Sequence, residues 1–281
     1  MTTLLEPFAY GYMRDAIWVG ALVGAVCGAL SCFLMLKGWS LIGDALSHSV
    51  VPGVAVAALL GLPFALGAFV AGGLAAGAML FIRERSALRQ DAIIGIVFTS
   101  FFALGLFIVS LRPTSVDVQT IMLGNVLAIT PADTLQLALI GGISLLAVAL
   151  LWRDLMAVFF DETHARSIGL RTGTLRLVFF ALLAASTVAA MQTVGAFLVI
   201  ALVVTPGATA YLLADRFGTT LMLGTGIGAV TSAVGAYLSY FIDSAPGGTI
   251  VLLQTALFAA AFLFAPKHGR LAARRAMREV R

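Results

Sequence analysis

The chain has 281 residues, of which 61% are hydrophobic and only 11% charged, against about 25% charged in soluble domains. So little charge cannot cover a soluble core of this size, which excludes a soluble enzyme, a nucleic-acid-binding domain and a disordered chain. The net charge of +4 then marks the cytoplasmic loops of a membrane protein rather than a nucleic-acid partner.

In chain order, apolar stretches long enough to cross a bilayer fall at 16–36, 38–60, 63–82, 92–111, 133–152, 174–193, 195–214, 218–241 and 247–265. They predict an all-α fold, a polytopic integral membrane protein of about eight or nine transmembrane helices, with one transmembrane domain over 1–281. The first stretch is too long for a signal-peptide core and is read as a mature helix. Turn signals such as Gly61-Leu62-Pro63 and Ala245-Pro246-Gly247 separate neighbours. Cys27 and Cys32 point to different sides of one helix and read as small core residues. Gly20, Gly24 and Gly28, and again Gly224 and Gly228, are spaced for close helix approach. Packing within one chain is favoured for them over a homodimer face.

Orientation follows from the loops. Placing 83–91, 153–173, 215–217 and 266–281 on one side with Lys37 gathers most of the Lys and Arg there, and leaves Arg14 and Arg112 opposite. That side is the cytoplasm, so the C-terminus, with its basic tail 266–281, is cytoplasmic and suited to the lipid surface. The outer segment 112–132 includes Leu123-Gly124-Asn125-Val126-Leu127, too short to span, and predicts a re-entrant or surface helix. In the cytoplasmic loop 153–173, Asp161 and Glu162 suit a helix start and Gly169 its end. The short helix so formed is either a docking element or a solvated connector.

Asp44 is the clear charged exception within a span, and His48 follows one helical turn later. The i, i+4 spacing puts both on one face, close enough to ligate one cation. Counted as helix from Lys37, Asp44 lies about 10 Å and His48 about 16 Å into the membrane. Ionisable groups at such depth usually line a substrate path. Pro52 has no N–H, so the His48 carbonyl loses its helical partner, and a local break there adds an oxygen ligand. The competing account has the pair hydrogen-bonding to each other or to serines and merely holding helices together; the depth and Pro52 favour ligation. A carboxylate with an imidazole suits manganese, iron or zinc, and the lack of thiolates or a dense oxygen cage disfavours copper(I) and calcium. Asp117, Asp133 and Asp243 on the outer side are weaker candidates. Gln192, Thr205 and Gln254 fit ordinary interhelical hydrogen bonds as well as a pore. Pro206 is expected to kink its span, and His164 and His268 are not metal candidates.

Both lysines, Lys37 and Lys267, follow residues other than glycine, so no phosphate-binding P-loop exists and any ATP hydrolysis belongs to a partner. HExxH and GxSxG are missing too, which weakens hydrolase readings. A stand-alone secondary transporter that couples metal uptake to protons through Asp44 or His48 is the alternative.

The run Lys37-Gly38-Trp39-Ser40-Leu41-Ile42-Gly43-Asp44-Ala45-Leu46-Ser47-His48, continuing to Val51-Pro52-Gly53-Val54-Ala55, resembles the manganese/zinc/iron permeases of bacterial ABC importers. So do Met122 to Leu127, Phe160-Asp161-Glu162 with Ala165 and Gly169, and Val194 to Val199 leading to Thr205-Pro206. The resemblance spans nearly the whole chain. It implies a multi-pass permease of the bacterial plasma (inner) membrane that is not itself an enzyme. The implied partners are a cytoplasmic ATP-binding subunit, an extracytoplasmic metal-binding protein, and a second permease protomer, identical or similar. No cofactor would be permanently bound; manganese, iron or zinc is cargo, with manganese and iron favoured by the wording of the motifs. The family's metal ligands carry over to Asp44 and His48, and its ATPase-coupling helix to Asp161, Glu162, Ala165 and Gly169.

Overall fold

A computed structural model describes residues 4–39, 41–62, 64–111 and 131–265. Of the outer segment 112–132, residues 112–130, with the re-entrant or surface helix expected there, lie outside the described residues, as does the basic tail 266–281. A 3₁₀ turn over Glu6–Ala9 precedes α1 (Gly11–Lys37), α2 (Ile42–Ser49), α3 (Val51–Leu60), α4 (Phe64–Arg85), α5 (Gln90–Leu111), α6 (Pro131–Phe160), α7 (Glu162–Ser167), α8 (Thr172–Val194), α9 (Ala196–Leu213), α10 (Phe217–Ile242) and α11 (Pro246–Phe264). Among the described residues nine spans are long and apolar enough to cross a membrane, with α2 and α3 together forming one of them over Ile42–Leu60. All nine expected spans are therefore present, and the fold is helical throughout its described parts.

The largest difference from the hydropathy reading is α6. The apolar run was expected to end at 152, yet the helix continues past Arg153 and Asp154 to Phe160. Leu155, Val158 and Phe159 are buried, so packing of an apolar stripe carries the helix beyond the charges that would end a lipid span. Only the second part of loop 153–173 is then left as a connector.

The chain divides into two compact units. One comprises Met1–Gly38, Val126–Trp152 and Ala201–Arg281; the other comprises Trp39–Asn125 and Arg153–Ile200. The first unit is built on α1 against α10. A Cβ on Gly24 would run into the Gly228 carbonyl, one on Gly28 into the Gly224 carbonyl, and one on Gly224 into Cys32 Sγ. The glycine spacing seen in the sequence is therefore an intramolecular seam that brings two backbones into contact. Cys27 and Cys32 are buried free thiols. Helix α9 runs through Pro206, which removes one rung of the helical ladder. The buried Ser31 of α1 serves the backbone there, donating to the Val204 carbonyl at 3.0 Å and accepting the Gly207 N–H at 3.1 Å. Gln254 of α11, buried, donates to Thr231 of α10 at 3.0 Å, an ordinary interhelical bond. At one end of this unit Tyr237 donates to the Leu4 carbonyl and its ring meets Phe8.

The second unit packs α3 on α4 and α5. Gly53 and Gly67 face each other so closely that a Cβ on either would run into the other's carbonyl. A Cβ on Gly105 of α5 would sit 2.7 Å from Val51 Cγ1 and 2.9 Å from the Pro52 nitrogen. Backbone contacts thus fix the segment in which α2 gives way to α3.

Candidate metal path and coupling helix

Helix α1 ends at Gly38, whose φ of +70° suits a residue without a side chain. Helix α2 starts only at Ile42, whose N–H donates to the Trp39 carbonyl at 3.3 Å. The depth expected for Asp44 and His48 assumed helical rise from Lys37; that rise applies only from Ile42. Asp44 consequently stands in the first turn of α2, where the exposed N–H groups favour negative charge.

His48 lies one turn on, and its Nε2 is 3.4 Å from Asp44 Oδ1. The imidazole side chain is 15% exposed and the carboxylate side chain 42%, so the carboxylate is the open side of the pair. The neighbouring serines are engaged with their own helix. Ser47 donates to the Gly43 carbonyl at 2.8 Å and Ser49 to the Ala45 carbonyl at 2.6 Å. The pair is thus set by the i, i+4 geometry of one helix and not by the serines beside it.

The helix break expected from Pro52 is present but small. Helix α2 ends at Ser49, α3 begins at Val51, and Val50 between them keeps near-helical angles of φ −79° and ψ −17°. Pro52 removes the usual donor to the His48 carbonyl, and the N–H nearest that oxygen is Val50's, two residues on.

Two residues not singled out in the sequence complete the site. Phe98 and Phe102 of α5 meet the His48 ring edge-on, with centroids 5.5 and 5.7 Å away and interplanar angles of 67° and 80°. Their own rings lie 6.0 Å apart and nearly parallel. Edge-to-face contacts of this kind contribute roughly 0.5–1.5 kcal/mol each and hold the imidazole in one orientation toward Asp44. The i, i+4 spacing of two phenylalanines was the available signal. Among the described residues no three His, Cys, Asp or Glu come together, so one chain offers a cation two side-chain ligands here. A cavity of about 340 Å³ bounded by Pro52, Val56, Leu66, Val70, Phe101 and Leu104 is apolar and offers no cation ligands.

Of the weaker positions, Asp133 stands in the first turn of α6 and Asp243 caps α10 with a left-handed φ of +54°. Asp117 lies outside the described residues, as does His268, and nothing is described of the Gln192 side chain.

The expected short helix in the second loop is α7. Asp161 caps it, accepting the N–H groups of Thr163 and His164 at 2.9 and 3.0 Å. Gly169, at φ +86°, ends it, and Leu170 N–H returns to the Ala165 carbonyl at 3.0 Å, the 6→1 bond of a glycine-terminated helix. Ala165 is buried. Glu162 joins α7 to α8: its carboxylate is 2.6 Å from Arg166 and 3.1 Å from the buried Arg176. Phe160 and Ile168, which flank the helix, are exposed, so the segment presents both apolar and charged groups.

Comparison with known proteins agrees with this architecture. The Yersinia pestis chelated iron transport system membrane protein YfeC is 63% identical over 271 residues, covering 96% of this chain and 92% of its own. The Synechocystis manganese transport system membrane protein MntB is 47% identical, covering 96% and 88%. The structure of PsaBC from Streptococcus pneumoniae in complex with Fab matches with a TM-score of 0.85 and 35% identity, covering 97% of this chain and all of that one. Residues 9–265 match the ABC 3 transport family; this multi-pass membrane protein belongs to that family.

Proposed function

We propose that the chain is the permease subunit of an ATP-driven importer of manganese or iron, with zinc a lesser cargo, and that the ion passes between Asp44 and His48. The observation that carries the reading is the 3.4 Å carboxylate–imidazole pair on an interrupted helix of a transport-family protein. The relatives named for iron and manganese transport support the cargo. A carboxylate and an imidazole are ligands of intermediate hardness, suited to these ions. Two side chains and water bind an ion loosely enough to pass it on.

The remaining parts follow from the same reading. A second permease protomer facing this one across the path would double the ligand set. The P-loop, missing here, would be supplied by a cytoplasmic ATP-binding subunit, and the ion by an extracytoplasmic metal-binding protein. The basic loops and the C-terminus face the cytoplasm of a bacterial inner membrane, which places α7 where an ATPase can meet it. The whole of 1–281 then acts as one permease domain, with 266–281 at the lipid surface.

The test is uptake of radioactive manganese into proteoliposomes holding this chain, its ATP-binding subunit and its binding protein. Uptake that requires ATP supports the proposal. Uptake by the chain alone, driven by a pH gradient and indifferent to ATP, would favour the proton-coupled alternative.

The coupling helix yields its own prediction. Asp161→Ala removes the α7 cap and costs its first turn about 1 kcal/mol, whereas Asp161→Asn keeps a capping oxygen. In the same vesicles the alanine variant is expected to lose several-fold in uptake per ATP hydrolysed, and the asparagine variant much less. Equal behaviour of the two would detach the cap from coupling.

A further inference from the structure

Trp39 sits between the two functional elements and touches the supports of both. It is 5% exposed, and its carbonyl accepts the first N–H of α2, the helix that carries Asp44 and His48. Its indole meets Phe159 of α6 edge-on at 5.4 Å and stacks on Phe180 of α8 at 5.7 Å. Phe159 in turn packs on Phe179 at 4.6 Å. The Arg83 guanidinium of α4 lies over the indole, 4.8 Å from its centroid. Phe159, Phe179 and Phe180 are all buried.

The same residues are tied to α7 from two sides. Phe159 lies two positions before the capping Asp161, whose N–H bonds back into α6 at the Ala157 carbonyl, 3.0 Å away. Phe179 and Phe180 lie one turn beyond Arg176, which grips Glu162 of α7 through two contacts at 3.1 and 3.3 Å. A shift of α7 therefore loads the aromatic cluster through α6 and through α8 at once. Close-packed rings transmit such a load because they cannot compress and must move together.

We propose that Trp39 is the positioning residue that passes movement of α7 to α2, so that the state of the ATPase sets the placing of Asp44 and His48. The inference rests on the metal-path and coupling-helix readings above, and it adds the part that joins them. Trp39 touches neither metal nor nucleotide; its effect is on coupling, not on ligation.

The experiment compares wild type, Trp39→Ala, Trp39→Phe, Arg83→Gln and His48→Ala in the complete reconstituted transporter. It measures ATP hydrolysis, manganese uptake, and equilibrium binding of manganese(II) alone. Trp39→Ala is expected to keep manganese binding and basal hydrolysis while uptake per ATP falls about tenfold. Trp39→Phe, which keeps a ring in the cluster, recovers most of the loss. A merely structural residue would lower binding, hydrolysis and uptake together. Should Trp39→Ala fail to assemble, Arg83→Gln decides: a fall of about threefold in uptake per ATP supports the coupling role, and an unchanged ratio overturns it. Unchanged uptake per ATP in an assembled Trp39→Ala transporter overturns it directly. Wild-type uptake by His48→Ala would instead overturn the metal-path reading, so the two failures are told apart.

Discussion

Replacing His48 with alanine is expected to lower manganese uptake about a hundredfold or more, since even outer-shell partners of metal ligands change affinity by about 10–100-fold. Asp44→Asn keeps the size and one oxygen acceptor but loses the charge, and uptake is expected to fall at least about tenfold. Both residues sit on one face of a short helix that is held by backbone contacts elsewhere. Gly53, Gly67 and Gly105 fix α2–α3 through close approach to α4 and α5, and neither site side chain takes part in those contacts. The fold should therefore tolerate both substitutions, and thermal midpoints near wild type would separate a lost ligand from a lost structure. ATP hydrolysis by the assembled transporter should survive in each variant while uptake does not. Wild-type uptake by both would remove the pair from the path.

The second large effect concerns the α1–α10 seam. Gly24→Val places branched carbons where the Gly228 carbonyl already stands, and Gly228→Val does the same against Gly24. Neither neighbour is the end of a flexible side chain, so the helices must separate. Overpacking of this kind costs about 1–3 kcal/mol. The expected result is a fall of many degrees in the thermal midpoint in detergent and little protein recovered from the membrane. Gly226→Val is the control: a Cβ there meets nothing within 4 Å, and the variant should behave as wild type. If Gly24→Val and Gly226→Val proved equally stable, the seam would not be the organising contact of its unit.

What the sequence made legible follows from how local each signal is. Spans such as Thr172–Val194 and Phe217–Ile242 could be read within two residues because charged residues or a glycine bound them: Arg171 and Gly195, Arg216 and Asp243. Helix α7 was legible for a similar reason: Asp161 and Gly169 carry start and stop signals in their own backbone preferences. The end of α6 was not, because Leu155, Val158 and Phe159 continue the helix by burial against other segments, and hydropathy stops at Arg153. The partner of the Gly20-Gly24-Gly28 stripe was equally invisible, since spacing gives a face and not its neighbour.

The site divides along the same line. Asp44 and His48 were conspicuous as ionisable groups inside an apolar stretch, and their i, i+4 spacing fixed their mutual geometry. Phe98 and Phe102 were not, because phenylalanines in a span look the same whether they face lipid or an imidazole. Only the packing of α2 against α5 distinguishes them. Trp39 stood in the sequence as one letter of a motif; its contacts with Phe159 and Phe180 come from helices more than 100 residues away.

The most direct test of the metal path is anomalous scattering at the manganese edge from crystals of the assembled transporter loaded with manganese(II). The account predicts a peak within coordination distance of both the His48 imidazole nitrogen and the Asp44 carboxylate oxygen, slightly beyond the roughly 2.0–2.2 Å that the smaller zinc ion keeps from such ligands, and no such peak in His48→Ala crystals. A manganese peak elsewhere along the membrane-spanning helices, with none at this pair, would contradict it.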